Sequence, residues 1–393
     1  MNALVPAARP LPLLLCLSHL RWDFVFQRPQ HLMARAAATY RVVYFEEPLP
    51  STTDWPYLRT RMAPEGVLVA TPMLPELDAA AADIAQRDLL DDLVTELAAP
   101  VAIAWYYTPM ALAFAGHLRP GVTVFDSMDE LSAFRSASLR LALLERRLLK
   151  RADLVFTGGH SLHEAKRRLH PRAHLFPSSV DAEHFHAARS GPAPSGEPAG
   201  QAGLPRPRIG FFGVLDERMD FDLLDDVAAA RPGWQLVMVG PTAKIDPAIL
   251  PQRPNLHWLG MKPYAELPAY LAGWDAGLMP FALNEATRFI SPTKTPEFLA
   301  AGVPLVSTSV PDVVADWGSD GLVSIADGPD AVVAAIEALL TRPRQPWLAQ
   351  VDRRLTYLSW DATWVRMRRL TEDVASAARR HAAVPAQGSA HAT

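Results

Sequence analysis

Short apolar runs alternate along the chain with longer segments in which apolar residues recur at helical spacing. The runs contain few polar positions, which is typical of strands buried on both faces of a parallel sheet. The alternation therefore predicts an α/β fold with two parallel sheets covered by helices. The strands predicted before residue 187 are Leu13–Leu17, Val42–Phe45, Val67–Ala70, Val101–Trp105, Val122–Phe125 and Leu154–Thr157. Those predicted after residue 207 are Ile209–Phe212, Leu236–Val239, Leu256–Leu259, Ala276–Met279, Leu305–Ser307 and Leu322–Ile325.

Composition divides the chain into two domains. Residues 187–207 are rich in Pro, Gly, Ala and Ser and are predicted to link an N-terminal domain, residues 11–186, to a C-terminal domain, residues 208–355. Both domains are predicted to be Rossmann-like and to face each other across a cleft, with ligands at the carboxyl ends of the strands. Residues 356–380 are predicted to form a C-terminal helix, and the two chain ends, 1–10 and 381–393, are predicted to be disordered.

The overall composition narrows the function classes. A formal net charge of −4 gives no reason to expect nucleic acid binding. The single cysteine, Cys16, excludes an internal disulfide, and its apolar neighbours favour a buried thiol over a nucleophile. The apolar run around it is shorter than the roughly 20 residues of a membrane span and lacks a signal-peptide cleavage site. We therefore expect a cytoplasmic protein.

Several common catalytic motifs are absent from the sequence. It contains no glycine-rich dinucleotide motif, no P-loop motif and no G-x-S-x-G motif. The spacing of His160, His163, His170 and His174 does not place three ligands on one helical face. Neither a metal nor a cofactor is expected.

Residues 291–307 form the most informative segment. The pattern predicts a loop, a short helix that stops at Gly302, and a buried strand. Such a helix directs its free backbone N–H groups at a ligand in front of it. Lys294 precedes this end and Glu297 lies in the first turn. An anion next to a polyol, such as a nucleotide diphosphate on its ribose, would suit this arrangement.

This segment resembles the donor-binding segment of GT-B glycosyltransferases, especially the family 4-like group. Residues 208–213 resemble the first strand and glycine turn of their C-terminal domain, and residues 234–260 resemble the next strand pair. Residues 358–364 resemble the tryptophan-marked helix that crosses back to the first domain. The ordered set covers nearly the whole chain. It implies the GT-B fold and a glycosyltransferase that needs no metal for its chemistry.

The loop after the first strand, residues 18–31, corresponds in this resemblance to the loop that closes over the donor phosphates and shapes the acceptor pocket. Its polar, aromatic and cationic composition is typical of functional loops. The predicted acceptor or phosphate ligands are His19, Trp22, Asp23 and Arg28, the last by bidentate bonds to a phosphate. The alternative is that Trp22 packs against the helix and Arg28 lies on the surface.

Two aspartates follow the predicted strand Val122–Phe125. Asp126 ends the strand and Asp129 follows three residues later. The resemblance implies that a His or Asp at the strand end faces the donor or the acceptor, so either aspartate is a candidate catalytic base for an acceptor hydroxyl. The alternative is that Asp126 ends the strand and Asp129 caps the next helix.

The resemblance also assigns donor ligands in the second domain. It implies that Arg218 and Lys294 neutralise the donor diphosphate in place of a metal, and that Glu297 accepts hydrogen bonds from the ribose hydroxyls. The family usually carries a further acid separated from this one by seven residues, but Phe289 stands there. The remaining candidates for sugar or phosphate contacts are Asn284, Thr287 and Ser291.

Residues 131–174 hold ten Arg and Lys against three acids. Apolar residues at spacings of three and four predict an amphipathic helix over residues 131–151. Its basic face is predicted to rest on an anionic membrane or to bind a lipid-diphosphate acceptor. The alternative is a helix that packs on the core and exposes a solvated basic face.

Taken together, these features predict a glycosyltransferase that moves a sugar from a UDP- or GDP-sugar to a glycan or a polyprenyl-diphosphate-linked acceptor. The resemblance implies retention at the anomeric carbon and a role in bacterial surface polysaccharide synthesis. Two alternatives stay open. One is another GT-B-like enzyme, such as a nucleotide-sugar epimerase or a phosphorylase, and the other is a non-catalytic sugar-binding or scaffold protein.

Overall fold

The computed structural model describes residues 11–134, 137–191 and 196–383, and side chains up to residue 380. The strands of its first domain are β1 (Leu13–Leu17), β2 (Arg41–Phe45), β3 (Leu49–Pro50), β4 (Tyr57–Met62), β5 (Leu68–Leu74), β6 (Val101–Tyr106), β7 (Val122–Ser127), β8 (Leu154–Thr157) and β9 (Ala173–Leu175). In the described residues they form one sheet in the order β3-β5-β2-β1-β6-β7-β8-β9. All pairs in it are parallel except that β4 lies antiparallel to β5.

Helices cover both faces of this sheet. They are α1 (Arg28–Ala36), α2 (Ala79–Glu96), α3 (Leu112–Ala115), α4 (Leu139–Arg151) and α5 (His160–Lys166). Local sequence sets their starts: the Asp78 carboxylate accepts hydrogen bonds from the first backbone N–H groups of α2, and Ser138 caps α4 in the same way.

The second domain repeats the architecture with six described strands in the order β12-β11-β10-β13-β14-β15, all parallel. They are β10 (Arg208–Phe212), β11 (Gln235–Val239), β12 (Leu256–Trp258), β13 (Ala276–Met279), β14 (Leu305–Ser307) and β15 (Ser324–Ile325). The remaining helices are α6 (Ala182–His186), α7 (Phe221–Ala230), α8 (Leu267–Leu271), α9 (Lys294–Ala300), α10 (Pro311–Val313), α11 (Pro329–Thr341), α12 (Arg344–Leu355) and α13 (Trp360–Ala383).

The strand order of each sheet indicates the edge at which this fold binds ligands. In each sheet the strand order reverses at the first strand of the domain: β2 and β6 lie on opposite sides of β1, and β11 and β13 lie on opposite sides of β10. The loops that follow these strands therefore open a crevice at the carboxyl edge, where α/β sheets bind ligands. The predicted fold class is confirmed, and each predicted strand overlaps a strand of the structure. The strands that the apolar pattern misses are short or, like β4, largely exposed.

The boundary between the domains differs from the prediction. Val180 and Phe185 already belong to the core of the second domain, whereas Phe176, just before them, belongs to the core of the first. The predicted linker is not a free tether in its described part, because Gln201 is fully buried and bonds to the Tyr270 carbonyl. Residues 192–195 lie outside the described part. Pro, Gly and Ala content marks irregular backbone, which can still be packed.

Helix α13 crosses back to the first domain. Trp360, Trp364 and Met367 are buried in that domain's core. The helix starts at Trp360, four residues later than predicted, and it continues to Ala383, so residues 381–383 of the predicted tail are helical. The rest of the predicted disordered ends, residues 1–10 and 384–393, lie outside the described residues.

The basic helix predicted over residues 131–151 is shorter in the structure. A 3₁₀ turn covers Leu131–Ala133, and α4 starts only after the Ser138 cap. Residues 135 and 136 lie outside the described part. Among the described helices, none is long and apolar enough to span a bilayer. No three His, Cys, Asp or Glu side chains of the described residues come together as a metal site would require.

Candidate active site

A cleft between the two domains brings together the carboxyl edges of both sheets. The Ser178 hydroxyl donates to the Ser291 carbonyl across it at 2.5 Å, and the rings of Phe26 and Tyr264 lie 4.8 Å apart. The two domains therefore contact each other around a shared cavity. The first domain lines it with residues 24–28 and 128–129, and the second lines it with residues 211–214, 239–241, 261–264 and 290–294.

The charged lining of this cleft is mostly cationic. Its cations are Arg28, Arg218, Lys262 and Lys294, and among the described lining residues Asp129 is the acid. Arg28, Arg218 and Lys294 are each paired with a buried acid behind the lining, so the cleft presents cationic groups to an anion while their counterions lie away from its surface. The cleft can therefore bind a polyanion such as a diphosphate.

Lys294 and Glu297 form an ion pair one helical turn apart at the start of α9. The Lys294 ammonium lies 3.0 Å from the Glu297 carboxylate and 5.0 Å from the centre of the Phe212 ring. Burial raises the pKa of Glu297, and the neighbouring ammonium partly offsets this effect. Lys294 lines the cleft, whereas Glu297 is 1% exposed and lies behind it. Glu297 is thus the counterion of Lys294 in this structure.

Two glycines let the second domain's loops approach each other at the cleft floor. Gly213 follows β10 and Gly240 follows β11, with φ angles of 149° and 148°. A Cβ at residue 240 would lie 1.7 Å from the Gly213 carbonyl oxygen, so no larger residue fits there. These positions require glycine and bring backbone close to the cleft surface.

Arg218 connects the two walls of the cleft. Its guanidinium binds both oxygens of Asp216, at 2.7 to 3.1 Å, and lies 5.8 Å from the Phe134 ring centre of the first domain. Asp216 holds the guanidinium in a fixed orientation at the cleft. Sequence reasoning missed this acid, although its position two residues before the arginine was a usable signal.

Comparisons with known proteins agree with this geometry. The family model described as "Glycosyl transferases group 1" matches residues 206–342, the greater part of the second domain. The solved sucrose-phosphate synthase of Thermosynechococcus elongatus superposes with a TM-score of 0.69 at 15% identity, covering 93% of this chain and 100% of that one. An E. coli structure described as trehalose-6-phosphate bound with UDP-2-fluoro glucose gives 0.68 at 14% identity, covering 92% and 99%. This chain has the GT-B glycosyltransferase fold.

A curated relative also matches part of the GT-B chain. It is the Bacillus subtilis (strain 168) protein described as "Putative teichuronic acid biosynthesis glycosyltransferase TuaH", which is 31% identical over 188 residues. The match spans 46% of this chain and 46% of the relative, so about half of each. The resemblance inferred from the sequence is confirmed for the GT-B fold of the chain and, in the second domain, for the match to the group 1 family model.

The structure corrects the roles predicted for Arg28 and Asp126. Arg28 Nε lies 3.1 and 3.2 Å from the two oxygens of Asp126, and a terminal nitrogen lies 2.8 Å from one of them. The other terminal nitrogen donates to the Phe176 carbonyl. Arg28 is 2% exposed and Asp126 is 0% exposed and does not line the cleft. The pair joins α1 to the end of β7, and in this structure the Asp126 carboxylate is occupied by Arg28 and does not reach the cleft.

Asp129 is the aspartate that the GT-B cleft exposes. It is half-buried, lines the cavity, and lies near Arg218 of the opposite domain. Burial raises its pKa, while the Arg218 guanidinium acts in the opposite direction. A carboxylate whose pKa is raised is a stronger base than an ordinary aspartate, so it is suited to accept a proton from a nearby hydroxyl. The predicted cap role is not seen, because Ser138 caps the next helix.

Three of the four predicted loop ligands, His19, Trp22 and Asp23, do not line the cleft. Trp22 is buried against Tyr44, and its backbone N–H donates to the Glu46 carboxylate at 2.6 Å. His19 is half-buried, and desolvation lowers its pKa to about 4, so its imidazole is neutral at neutral pH. Asp23 faces out and pairs with Arg61. Glu46, directly after β2, was missed, although an acid at a strand's carboxyl end was the usable signal.

The predicted sugar ligands before α9 separate into two groups. Ser291 lines the cleft. Asn284 and Thr287 do not, because they lock a turn: each backbone N–H donates to the other's side-chain oxygen, at 3.0 and 3.1 Å. Thr287 is 1% exposed. In this structure both side chains stabilise a turn, and the ligand contacts predicted for them are not seen in the cleft lining.

Proposed function

We propose that this protein transfers a sugar from a nucleotide diphosphate donor, a UDP- or GDP-sugar, to a hydroxyl group of a glycan acceptor. The observation that carries the proposal is the cation-lined cleft at the carboxyl edges of both sheets, next to the domain that matches the group 1 glycosyltransferases. A structural neighbour described as bound with UDP-2-fluoro glucose and a starch synthase described as bound to ADP and acarbose support the donor class.

The residues of the cleft divide the chemistry between the two domains. The acceptor oxygen forms a bond to the anomeric carbon as the bond from that carbon to the diphosphate breaks, and the acceptor hydroxyl loses its proton. Lys294 and Arg218 offset the charge that develops on the departing diphosphate, which is the role of a metal in other transferases. Asp129 orients the acceptor hydroxyl and accepts its proton. Retention at the anomeric carbon is part of this proposal, and it requires that the acceptor oxygen approach the anomeric carbon from the same face that the diphosphate leaves.

The donor site can be tested by titration calorimetry with UDP, GDP and dTDP. Lys294→Met is expected to weaken binding of the preferred nucleotide about 10- to 100-fold, because a charge-assisted bond to phosphate is lost. Lys150→Met, an exposed lysine on α4, is the matched control and should bind as the wild type does. Because Lys294→Met leaves Glu297 buried without its counterion, Lys294→Met/Glu297→Gln removes both charges and keeps the test independent of folding.

Transfer assays on the same protein separate the remaining alternatives. Transfer of donor sugar to membrane-extracted glycan, unchanged by EDTA, supports a metal-independent transferase. Nucleotide binding without turnover of any donor supports a scaffold protein, and donor isomerisation without acceptor supports an epimerase. Equal binding by the wild type and both Lys294 variants would place the donor elsewhere.

We also propose a role in bacterial surface polysaccharide synthesis, on a lipid-linked acceptor. The description of the Bacillus subtilis relative supports the pathway class. The surface of α4 supports contact with an anionic membrane. Leu139 is 88% and Leu143 is 61% exposed on that helix, and Arg146, Arg147 and Lys150 continue the same exposed face. Apolar side chains beside cations suit the boundary of an anionic bilayer.

Vesicle co-sedimentation tests the membrane contact. The wild type is expected to bind vesicles that contain phosphatidylglycerol and to bind pure phosphatidylcholine weakly. Leu139→Ser/Leu143→Ser should lower the partition coefficient at least about tenfold, since burying a leucine contributes about 1.5–3 kcal/mol. Ile249→Ser, an exposed position of the second domain, is the control. Binding that is independent of both the leucines and anionic lipid would contradict this contact.

A further inference from the structure

A second cavity opens in the first domain beside the cleft. Phe24 lies in the walls of both cavities, so the two are neighbours separated by that side chain. The loop that follows β1 forms one wall, and strands β2, β4 and β5 with the segment at β3 form the rest. The lining residues are Arg21, Asp23, Phe24, Glu46, Leu49, Arg59, Arg61, Val69 and Thr71.

Strand β4 places two arginines on one side of this cavity. Arg59 and Arg61 are two residues apart, so their side chains leave the same face of the strand. In the antiparallel pairing with β5, Arg59 lies opposite Thr71 and Arg61 opposite Val69, and both of these partners also line the cavity. The register therefore places both guanidinium groups beside the part of the cavity wall formed by Thr71 and Val69.

The two acids of this cavity, Asp23 and Glu46, do not neutralise all three of its arginines. Glu46 is buried and already accepts hydrogen bonds from the Trp22 backbone and the Thr71 hydroxyl, at 2.6 and 2.8 Å. Its carboxylate also pairs with Arg21 at 3.3 Å. In the described part of the chain, no acidic side chain forms an ion pair with Arg59.

The ion pair of Asp23 with Arg61 shows that the Arg61 guanidinium can bind a carboxylate. The Asp23 carboxylate is 73% exposed and, among the described residues, is held by the Arg61 guanidinium alone, so an incoming anion can replace it at low cost. The planar fork of an arginine matches a carboxylate or a phosphate. One guanidinium is thus free and the other holds a carboxylate that a ligand can displace.

We propose that this cavity binds an oxyanion group, a carboxylate or a phosphate, of the acceptor, on a part of it next to the hydroxyl that is glycosylated. The proposal rests on the proposed function, because Phe24 connects the cavity to the cleft where that hydroxyl would react. Arg59 and Arg61 hold the anion, and Asp23 competes with it for Arg61. The transferase therefore selects acidic acceptors over neutral ones.

Ligand-observed NMR titrations of the full chain test this site. The probes are methyl glucuronide, glucose 6-phosphate and the neutral methyl glucoside, and comparison of the first two distinguishes carboxylate from phosphate. Arg59→Gln/Arg61→Gln is expected to weaken binding of the preferred charged sugar about tenfold or more. Asp23→Asn is expected to tighten it, because it removes the competing carboxylate. Arg231→Gln/Arg253→Gln, two paired arginines of the second domain, is the matched control.

The outcomes separate this site from the donor site. Loss of anion binding in Arg59→Gln/Arg61→Gln with unchanged UDP or GDP binding supports the proposal and shows that the variant is folded. Equal binding of neutral and charged sugars, no binding of either charged sugar to the wild type, or wild-type affinity in that variant would overturn it. If the wild type binds a charged sugar through these arginines but binds no nucleotide, the proposed function fails and the anion site stands.

Discussion

Asp126→Ala is expected to lower the free energy of unfolding by about 3–5 kcal/mol, the typical cost of removing one partner of a buried ion pair. Three of the four hydrogen bonds of the Arg28 guanidinium go to Asp126, and Arg28 is 2% exposed. Burial alone would lower the pKa of Arg28, but the Asp126 carboxylate raises it above its ordinary value. The variant would leave a buried cation that cannot easily lose its proton.

Urea unfolding followed by circular dichroism measures this effect. Asp361→Ala is the matched control, because Asp361 also binds an arginine through both oxygens, at 2.9 and 3.1 Å, but is 76% exposed. An exposed pair of this kind contributes about 0–1 kcal/mol. Arg28→Met/Asp126→Leu removes both charges and should recover much of the loss. If Asp126→Ala is as stable as the control but inactive, Asp126 is catalytic and its structural assignment is wrong.

Asp129→Asn is expected to lower kcat about 10²- to 10⁴-fold, the usual contribution of general acid–base catalysis, without destabilising the protein. The amide keeps the size of the side chain but cannot accept the acceptor's proton. The free energy of unfolding of Asp129→Asn should be equal to or higher than that of the wild type, whereas that of Asp126→Ala should be lower. Folding raises the pKa of the Asp129 carboxyl group, so the free energy of unfolding of the wild type falls as the pH rises from the unfolded-state pKa through the folded-state pKa. An amide does not ionise, so Asp129→Asn avoids this loss.

The pH profile checks the same residue independently. Because burial raises the pKa of Asp129, the acidic limb of kcat/KM in the wild type should lie at a higher pH than an ordinary aspartate would give. The residual activity of Asp129→Asn should lack that limb. Asp54→Asn, an exposed loop position, is the control and should leave rate and profile unchanged. A variant that keeps the wild-type rate and acidic limb would show that another group accepts the proton.

The fold was largely predictable because its signals are local. Buried parallel strands are apolar on both faces, so β1 and β10 could be found from the sequence as continuous runs. Strand β4 could not, because it lies at the sheet edge and most of its side chains reach solvent. The position of the domain boundary was also not predictable, because a proline- and glycine-rich composition does not indicate which core a segment packs against.

The candidate site was predictable in part. Lys294 and Arg218 were placed correctly in the cleft lining, because each follows a recognisable strand, glycine or helix signal. The cavity of Arg59 and Arg61 was not anticipated, since strand register brings these arginines beside a loop far away in sequence.

The sequence by itself determined the two α/β domains, the returning helix and the donor segment around Lys294. Only the tertiary structure decided which of the two aspartates reaches the cleft. Asp126 and Asp129 are three residues apart and look alike on the chain, yet one is sealed by an arginine 98 residues away and the other opens into the cleft. Local periodicity encodes which residues are buried, but the partner of a buried charge is chosen by the folded chain as a whole.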